Sequence, residues 1–307
     1  MKSTANLDGK TIPVIVGPTA AGKTKFATRL AARINGEIIS ADSRQIYRYL
    51  DVGTAKPKRK HLRSVRHHLI DFLDPDQYFD VGKFIRLADQ TIADITKRGK
   101  RPIIVGGTGM YIKALIDGLA PLPERDDHIR EKLKHIIKRK GLKSLYNWLK
   151  RVDPDTASQI DPHNPARVIR AMEVYLLTGK GLAHHHTKTK KSKYSFLMFG
   201  LAIPKHRLME RIRRRTKKML NKGMIEETKK LLRLGFKPNC PGFLSLGYRH
   251  VICHLNDEIS RKAMEDKLIT ETWQYAKRQR TWFKKDKRIY WLNQPFTVTK
   301  ITKALAH

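Results

Sequence analysis

Cysteine is almost absent from this chain of 307 residues, which carries only Cys240 and Cys253. Neither belongs to a Cys-x-x-Cys pair, so the sequence predicts neither a disulfide framework nor a cysteine-type zinc site. Long apolar runs are absent as well, because the longest, FLMFGLAI, is too short to span a bilayer. The amino-terminal MKSTANLDGK has no apolar signal core. We therefore expect a cytoplasmic protein without a membrane partner.

Acidic residues are also few: 28 Asp and Glu stand against 64 Lys and Arg, which leaves a formal net charge of +36. So many positive charges repel one another in the folded state. A protein that carries them usually binds a polyanionic partner. Basic runs at 56–60, 211–218 and 277–288 favour a nucleic-acid backbone over a merely solvated face. The neighbouring aromatics Trp273, Trp282 and Phe283 could stack on bases, but we expect such helical aromatics to lie mainly in a core.

Short apolar strands alternate with helices in the first part of the chain. IPVIV (12–16), EIIS (37–40) and PIIV (102–105) have the pattern of buried strands, and amphipathic helices separate them. This alternation predicts an α/β fold with a parallel, three-layer sheet, which a strand at 194–203 rejoins.

Between these parts only helical patterns occur. One of them begins at Asn164 and Pro165 and ends at Gly179, and the stretch closes in a polar, basic linker at 184–193. We expect a core formed by residues 1–122 and 194–307, and an inserted helical domain formed by residues 123–193.

The segment GPTAAGKT matches the phosphate-loop pattern Gly-x-x-x-x-Gly-Lys-Thr and lies between a predicted strand and a predicted helix. Backbone N–H groups, the helix amino terminus and Lys23 would bind phosphates there, and Thr24 could ligate Mg²⁺. A nucleotide-binding protein normally ends another strand in an Asp that holds Mg²⁺. Here PIIV runs into GGTG instead, and Asp71 is a weak substitute. The loop therefore suits ATP or any other diphosphate. The candidate binding residues are Gly17, Pro18, Thr19, Ala20, Ala21, Gly22, Lys23 and Thr24.

Two further polar side chains follow predicted strands. Asp42 comes after EIIS, and Thr108 comes after PIIV. The carboxyl ends of parallel strands meet at one edge, where ligands bind, so we expect both residues near the mouth of the phosphate loop. Two roles are open for Asp42 there. It could serve structurally, as a helix cap or an outer-shell partner of Mg²⁺, or it could act as a general base on a second substrate. The Thr108 hydroxyl can donate to a phosphate or bridging oxygen.

Seven segments, in this order, resemble the tRNA dimethylallyltransferase family: GPTAAGKT, ISADSRQIYRYLDVGTAKP, HHLIDFLDP, GGTGMYIKAL, NPARVIRAMEVYLLTGK, LGYRH and YAKRQRTWF. The resemblance covers the chain from about Ile12 to Phe283. It implies a P-loop NTPase-like α/β core and an inserted all-helical domain that grip the anticodon stem-loop of a tRNA. It also implies that the phosphate loop holds dimethylallyl diphosphate instead of ATP, and that the prenyl group moves to N6 of the flipped adenine just 3′ to the anticodon. The absence of a carboxyl-terminal Cys/His zinc finger favours the bacterial type, and we expect a monomer.

The resemblance also implies roles for individual residues. Asp42 would be the general base at N6, with Lys23, Thr108 and a Mg²⁺ on Thr24 completing the catalytic site. Arg215 would join the phosphate loop in stabilising the leaving diphosphate. Most members of the family have a Gln where this chain has Ala166, so the resemblance implies that one polar contact with tRNA is missing here. The implied tRNA contacts are Asp42, Ser43, Arg44, Gln45, Thr108, Arg130, Ala166, Arg167, Val168, Ile169 and Arg170.

Three other interpretations stay open. A small-molecule P-loop kinase would use ATP, but it would need a complete set of Mg²⁺-binding acids and gives no reason for the charge. An RNA-binding protein with a vestigial phosphate loop would not need an intact Lys23-Thr24 pair or Asp42. An adenylate isopentenyltransferase, which prenylates free nucleotide, would need neither a helical insertion nor so much basic surface.

Overall fold

The computed structural model describes residues 11–186 and 192–306. The strands in these residues are β1 Ile12–Val16, β2 Gly36–Ala41, β3 His67–His68, β4 Arg101–Gly106, β5 Phe196–Leu201 and β6 Tyr290–Leu292. The helices are α1 Lys23–Arg33, α2 Arg59–Ser64, α3 Val81–Lys97, α4 Gly109–Asp117, α5 Asp127–Val152, α6 Pro154–Gln159, α7 Pro165–Thr178, α8 Leu182–His186, α9 Lys205–Asn221, α10 Met224–Arg233, α11 Tyr248–Leu255, α12 Arg261–Lys284 and α13 Thr299–Ala306. No helix of the described residues is both long and apolar enough to cross a membrane.

Within the described residues, six strands form one parallel sheet in the order β3-β2-β4-β1-β5-β6. β1 lies between β4 and β5, with Val14 opposite Ile104 and Ile15 opposite Phe199. One face of the sheet packs on α1 through Phe26, and the other packs on α3 through residues such as Phe84. Burial on both faces explains why the central strands are runs of Ile and Val. The predicted three-layer α/β class is confirmed.

The strands predicted at 12–16, 37–40 and 102–105 are confirmed, and the one at 194–203 is shorter, since it covers Phe196–Leu201. Two strands were missed because each is too short to show a pattern. β3 consists of two histidines, and β6 has three residues directly after a basic run.

The chain divides into two compact units, residues 1–116 with 193–307 and residues 117–192. The second unit is helical, and its core gathers apolar side chains of α5, α6 and α7 around Leu145 and Met172. α5 kinks at Gly141, whose φ of 78° interrupts the helical backbone. The predicted ends of α7 are confirmed: the Asn164 side chain accepts a hydrogen bond from the backbone N–H of Arg167, and Gly179 has a φ of 68°. The role of this unit in binding tRNA stays a prediction.

The predicted linker at 184–193 is wrong in its first part, because Leu182–His186 form the short helix α8. The start of α8 is fixed by side chains of the preceding helices. The backbone N–H of Leu182 donates to Asp153 Oδ2 at 3.1 Å, and that of Ala183 donates to Thr156 Oγ1 at 3.2 Å. Residues 187–191 lie outside the described residues.

Candidate active site

The phosphate loop connects the end of β1 to the start of α1. Gly22 takes the N-cap position of α1 with a φ of 93°, a left-handed conformation that favours glycine. Gly22 has no side chain, so the N-cap position offers no acceptor to the first N–H groups of the helix. An uncapped helix amino terminus with its positive dipole end is a binding site for an anion such as a phosphate.

Lys23 places an ammonium group inside this loop. Its Nζ donates hydrogen bonds to the carbonyl oxygens of Gly17 and Pro18, both at 2.9 Å. Burial lowers the pKa of Lys23 to about 8, although the Asp42 carboxylate acts in the opposite direction. Arg215 lowers the pKa further by repulsion. A bound diphosphate would restore the charged form, because it adds negative charge beside the ammonium.

Two arginines of α9 fasten the same loop. Arg215 Nη1 donates to Thr19 Oγ1 at 2.9 Å, and Arg211 Nη1 donates to the carbonyl oxygen of Ala21 at 3.2 Å. Burial also lowers the pKa of Arg215, yet a guanidinium remains charged at any physiological pH. Arg215 was expected at the diphosphate, whereas Arg211 was noted only as part of the basic run at 211–218. The structure thus brings three cations, Lys23, Arg211 and Arg215, to the loop.

Asp42 stands one residue beyond β2. Its Oδ1 accepts hydrogen bonds from the backbone N–H of Arg44 at 2.9 Å and of Gln45 at 3.3 Å. Asp42 thus caps a turn and not a helix, because no helix begins at these residues. Its Oδ2 accepts no hydrogen bond from the residues that the structure describes. One oxygen therefore fixes the turn, and the other is available to a substrate.

Thr108 is tied to this turn from the adjacent strand. Its Oγ1 accepts a hydrogen bond from the backbone N–H of Ser43 at 3.0 Å, and its own N–H donates to the carbonyl oxygen of Ala41 at 3.2 Å. Gly106 leaves no room for a side chain, because an added Cβ would collide with that carbonyl group. The turns that follow β2 and β4 are thereby held against each other.

One cavity of about 360 Å³ joins these features within the α/β unit. Its lining includes most residues that the sequence proposed for this edge of the sheet: Thr19, Ala20, Gly22, Lys23, Thr24, Asp42, Arg44, Gln45 and Arg215. The cavity is also bordered by residues that the sequence analysis did not assign to this site, among them Lys56, Thr272, Tyr275 and Gln279.

Tyr275 of α12 is one of these additions. Burial raises the pKa of Tyr275 to about 12, and the Asp42 carboxylate acts in the same direction. A hydrogen bond with the Thr108 side chain and the charge of Arg44 oppose this shift. The phenol therefore stays protonated next to Asp42 and Thr108. The segment YAKRQ was noted in the sequence, but nothing local indicates that its tyrosine turns toward Asp42.

A second addition is the segment of residues 51–58, of which residues 53–58 line the cavity. Glu227 of α10 holds its start: the carboxylate accepts hydrogen bonds from the backbone N–H of Asp51, Val52 and Gly53 at 2.8, 2.7 and 3.1 Å. The Tyr248 hydroxyl donates to the same carboxylate at 2.6 Å. No sequence pattern links residues this far apart.

Mg²⁺ fits the residues present, although a dedicated metal cage is absent. Among residues 11–186 and 192–306, no group of three His, Cys, Asp or Glu side chains is placed to hold a metal ion. The Thr24 hydroxyl lines the cavity and makes no hydrogen bond with the described residues. Mg²⁺ is commonly held by one or two protein oxygens together with substrate phosphates, which is the donor set that Thr24 and a diphosphate would offer. Asp71 is not part of it, since its carboxylate pairs with Lys56 Nζ at 2.5 Å.

The remaining proposed tRNA contacts lie in the helical unit. Ala166 and Arg167 are exposed at the start of α7, whereas the side chains of Val168 and Ile169 belong to the core of the unit. Val168 and Ile169 therefore cannot offer their side chains to RNA, which corrects the sequence-based expectation. The residues alternate in this way because successive helical positions face different directions.

Arg130 and Arg170 have a structural partner in this unit. Arg130 donates two hydrogen bonds of 2.8 Å to the carboxylate of Glu173, and Arg170 Nη1 donates a third at 2.7 Å. The backbone N–H of Asp126 adds a fourth at 2.8 Å. The Glu173 side chain is fully buried. Burial opposes its ionisation, but these hydrogen bonds outweigh burial and lower the pKa of Glu173 to about 2.

We expect the substitution Glu173→Ala to lower the free energy of unfolding by about 3 kcal/mol, the lower end for a broken buried ion pair, because both guanidinium groups are partly exposed. Urea denaturation followed by circular dichroism measures this loss. Glu131→Ala is the matched control, because its ion pair with Lys134 is exposed and contributes under about 1 kcal/mol. Because the folded-state pKa of Glu173 is depressed, its stabilisation should be complete above pH 4 to 5 and disappear as the pH falls through about 2. Equal effects of the two substitutions would contradict this account.

The aromatic residues of the basic carboxyl-terminal segment divide into two groups. Phe283 is buried in the core on the α3 face of the sheet, and Trp273 packs against the core on the α1 face, as expected for helical aromatics. Trp282 is the exception, since 42% of it is exposed.

The family model described as IPP transferase matches residues 45–286 of this chain. Two curated relatives are described as tRNA dimethylallyltransferase. The one from Acetivibrio thermocellus is 42% identical, over 92% of this chain and 91% of the relative. The one from Geobacter sulfurreducens is 40% identical, over 94% of each chain.

Solved structures that resemble this chain belong to the same kind of enzyme as these relatives. The tRNA isopentenylpyrophosphate transferase of Bacillus halodurans is 37% identical with a TM-score of 0.70, over 97% of this chain and 95% of that one. A eukaryotic dimethylallyltransferase acting on tRNA is 28% identical with a TM-score of 0.77, over 92% of this chain and 74% of that one.

Proposed function

The chain belongs to the IPP transferase family, and on that premise we propose that it moves a dimethylallyl group from dimethylallyl diphosphate to N6 of the adenosine immediately 3′ to a tRNA anticodon. One observation carries the proposal: the Lys23 ammonium and the Asp42 carboxylate border the same cavity. A buried cation suits a departing diphosphate, and a carboxylate suits the removal of a proton from an amine.

The phosphate loop serves the donor half of the reaction. The allylic C–O bond breaks, and its electron pair leaves with the diphosphate. Lys23, the N–H groups at the start of α1 and Arg215 stabilise the charge that builds up on the leaving oxygens. The loop residues are Gly17, Pro18, Thr19, Ala20, Ala21, Gly22, Lys23 and Thr24. Mg²⁺, held by the Thr24 hydroxyl and the diphosphate itself, would supply further positive charge at those oxygens.

The turns after β2 and β4 serve the acceptor half. The adenine amine is a weak nucleophile because its lone pair is delocalised into the ring. As the bond between N6 and the allylic carbon forms, the N6 proton passes to the Oδ2 of Asp42. The adenine ring is oriented by Thr108, which is fixed by the backbone N–H of Ser43, and by the neighbouring side chains of Arg44 and Gln45.

The formal net charge of +36 agrees with tRNA as the partner, since phosphate contacts account for most nucleic-acid affinity. In the helical unit, the exposed residues Ala166 and Arg167 are the candidates for contact with tRNA. Arg130 and Arg170 pair with Glu173, and the part of each guanidinium that remains exposed could also contact tRNA phosphates. We propose that the enzyme acts as a monomer in the cytoplasm.

The proposal is tested by measuring diphosphate release with different donors and acceptors. The protein, with Mg²⁺, receives dimethylallyl diphosphate together with either unmodified tRNA or AMP, and in parallel receives ATP with each acceptor. We expect diphosphate only from dimethylallyl diphosphate with tRNA. Release with AMP would instead indicate a free-adenylate isopentenyltransferase, and formation of ADP would indicate a kinase.

A further inference from the structure

Gln279 of α12 connects two loops of the site with a single side chain. Only 6% of Gln279 is exposed. Its Oε1 accepts a hydrogen bond from the backbone N–H of Thr19 at 2.7 Å, and its Nε2 donates to the carbonyl oxygen of Gly107 at 2.8 Å. The orientation of the amide is unambiguous, because the reverse would set its NH₂ group against the Thr19 N–H and its oxygen against a carbonyl oxygen.

Each end of this bridge leads to one half of the proposed reaction. Thr19 belongs to the phosphate loop, and its hydroxyl accepts a hydrogen bond from Arg215. Gly107 precedes Thr108, whose Oγ1 accepts a hydrogen bond from the N–H of Ser43, the residue after Asp42. The Gln279 amide therefore links the loop that binds the donor to the turns that carry the proposed base.

The space around the bridge is filled. A Cβ added to Gly107 would lie 2.3 Å from Gln279 Nε2 and 3.5 Å from Lys23 Nζ. The backbone of Gly107 is not in the left-handed region, so its lack of a side chain reflects the space that Gln279 occupies and not a requirement for a special conformation.

We propose that Gln279 is a positioning residue that sets the separation between the diphosphate loop and the acceptor side of the site. This inference rests on the proposed function. Group transfer requires the two reacting atoms to approach within about 3–3.5 Å, and a displacement of about 1 Å can cost about 100-fold in rate. Gln279 achieves this positioning through Thr19 and Gly107, with both of its amide atoms already engaged by backbone groups.

The first test compares Gln279→Ala and Gln279→Asn with the matched control Gln274→Ala, an exposed glutamine on the same helix. The shorter Asn keeps the amide but cannot reach both loops. We expect kcat to fall about 10- to 100-fold in both Gln279 variants, with the Kd for tRNA unchanged and, for Asn, the same melting temperature as wild type. The control should behave as wild type. A Gln279→Asn variant with wild-type kcat, or a loss confined to tRNA affinity, overturns the proposal.

The second test approaches the bridge from its other end. Gly107→Ala should displace the Gln279 amide and lower kcat to a similar extent. The double substitution Gly107→Ala with Gln279→Ala should lose no more activity than either single substitution, because all three remove the same bridge. Losses that multiply in the double variant mean that the two residues act separately and contradict the proposal.

Failure of the inference is distinguishable from failure of the proposed function. If wild type and Gln274→Ala form no prenylated tRNA, the proposed function is wrong and the inference falls with it. If both form the product and Gln279→Asn forms it equally fast, only the inference is wrong.

Discussion

Replacing Asp42 by Asn lowers kcat for prenyl transfer by about 10²- to 10⁴-fold, the usual contribution of a positioned general base. The amide oxygen can still accept the hydrogen bonds from the N–H groups of Arg44 and Gln45, so the turn after β2 persists. The variant loses the proton acceptor and its negative charge. Single-turnover kinetics with saturating tRNA and dimethylallyl diphosphate measure the effect, and filter binding measures the Kd for tRNA, which should stay nearly unchanged.

The same variant has a second signature. The Asp42 carboxylate raises the pKa of Lys23, so its removal should lower that pKa below about 8. The pH at which kcat/KM for the diphosphate begins to fall should shift downward accordingly. Asp266→Asn is the matched control, since Asp266 is exposed and forms a surface pair with Lys262. Equal losses of turnover and tRNA affinity in Asp42→Asn would remove the assignment of Asp42 as the base.

Replacing Lys23 by Met lowers kcat by about 10²- to 10³-fold, the range for removing one group that stabilises developing negative charge. The KM for dimethylallyl diphosphate should rise as well, because the ammonium also attracts the ground-state diphosphate. The Kd for tRNA should not change. Initial rates at varied diphosphate concentration separate the two effects, and Lys97→Met, an exposed lysine at the end of α3, serves as the control.

The pKa of Lys23 adds a pH dependence to this prediction. Burial lowers it to about 8, so the ammonium is present below that pH and is lost as the pH rises through it. Wild-type kcat/KM for dimethylallyl diphosphate should therefore decline above pH 8, since this parameter reports groups of the free enzyme. Lys23→Met should lack that decline. A wild-type profile that stays flat to pH 9.5 would contradict the role of Lys23.

Much of the site could be predicted because it follows from local sequence and one rule of topology. A strand, a glycine-rich loop and a helix identify residues 17–24, and the carboxyl ends of parallel strands gather at one edge. The structure orders β2, β4 and β1 as neighbours, so Asp42, Thr108 and the phosphate loop lie together. The helix cap at Asn164 and the stop at Gly179 were equally local signals.

The remainder could not be predicted because it depends on residues far apart in the chain. Gln279 and Thr19 are separated by 260 positions, and no periodicity links them. Arg170 and Glu173 are a local pair three residues apart on α7, but the contact of Arg130 with Glu173 joins two helices and is likewise tertiary. The resemblance to the family placed Val168 and Ile169 in a tRNA-contact stretch, and the packing of the helical unit shows that their side chains belong to its core.

The identity of the donor and of the acceptor is the central claim, and one measurement tests it most directly. Unmodified tRNA is incubated with the protein, Mg²⁺ and dimethylallyl diphosphate, and in a second tube with ATP as the only donor; the tRNA is then digested and its nucleosides are identified by mass spectrometry. We expect an adenosine that carries one dimethylallyl group on N6, in the first tube only. Unmodified nucleosides in both tubes, with ATP consumed in the second, would contradict prenyl transfer and indicate that this phosphate loop serves a kinase.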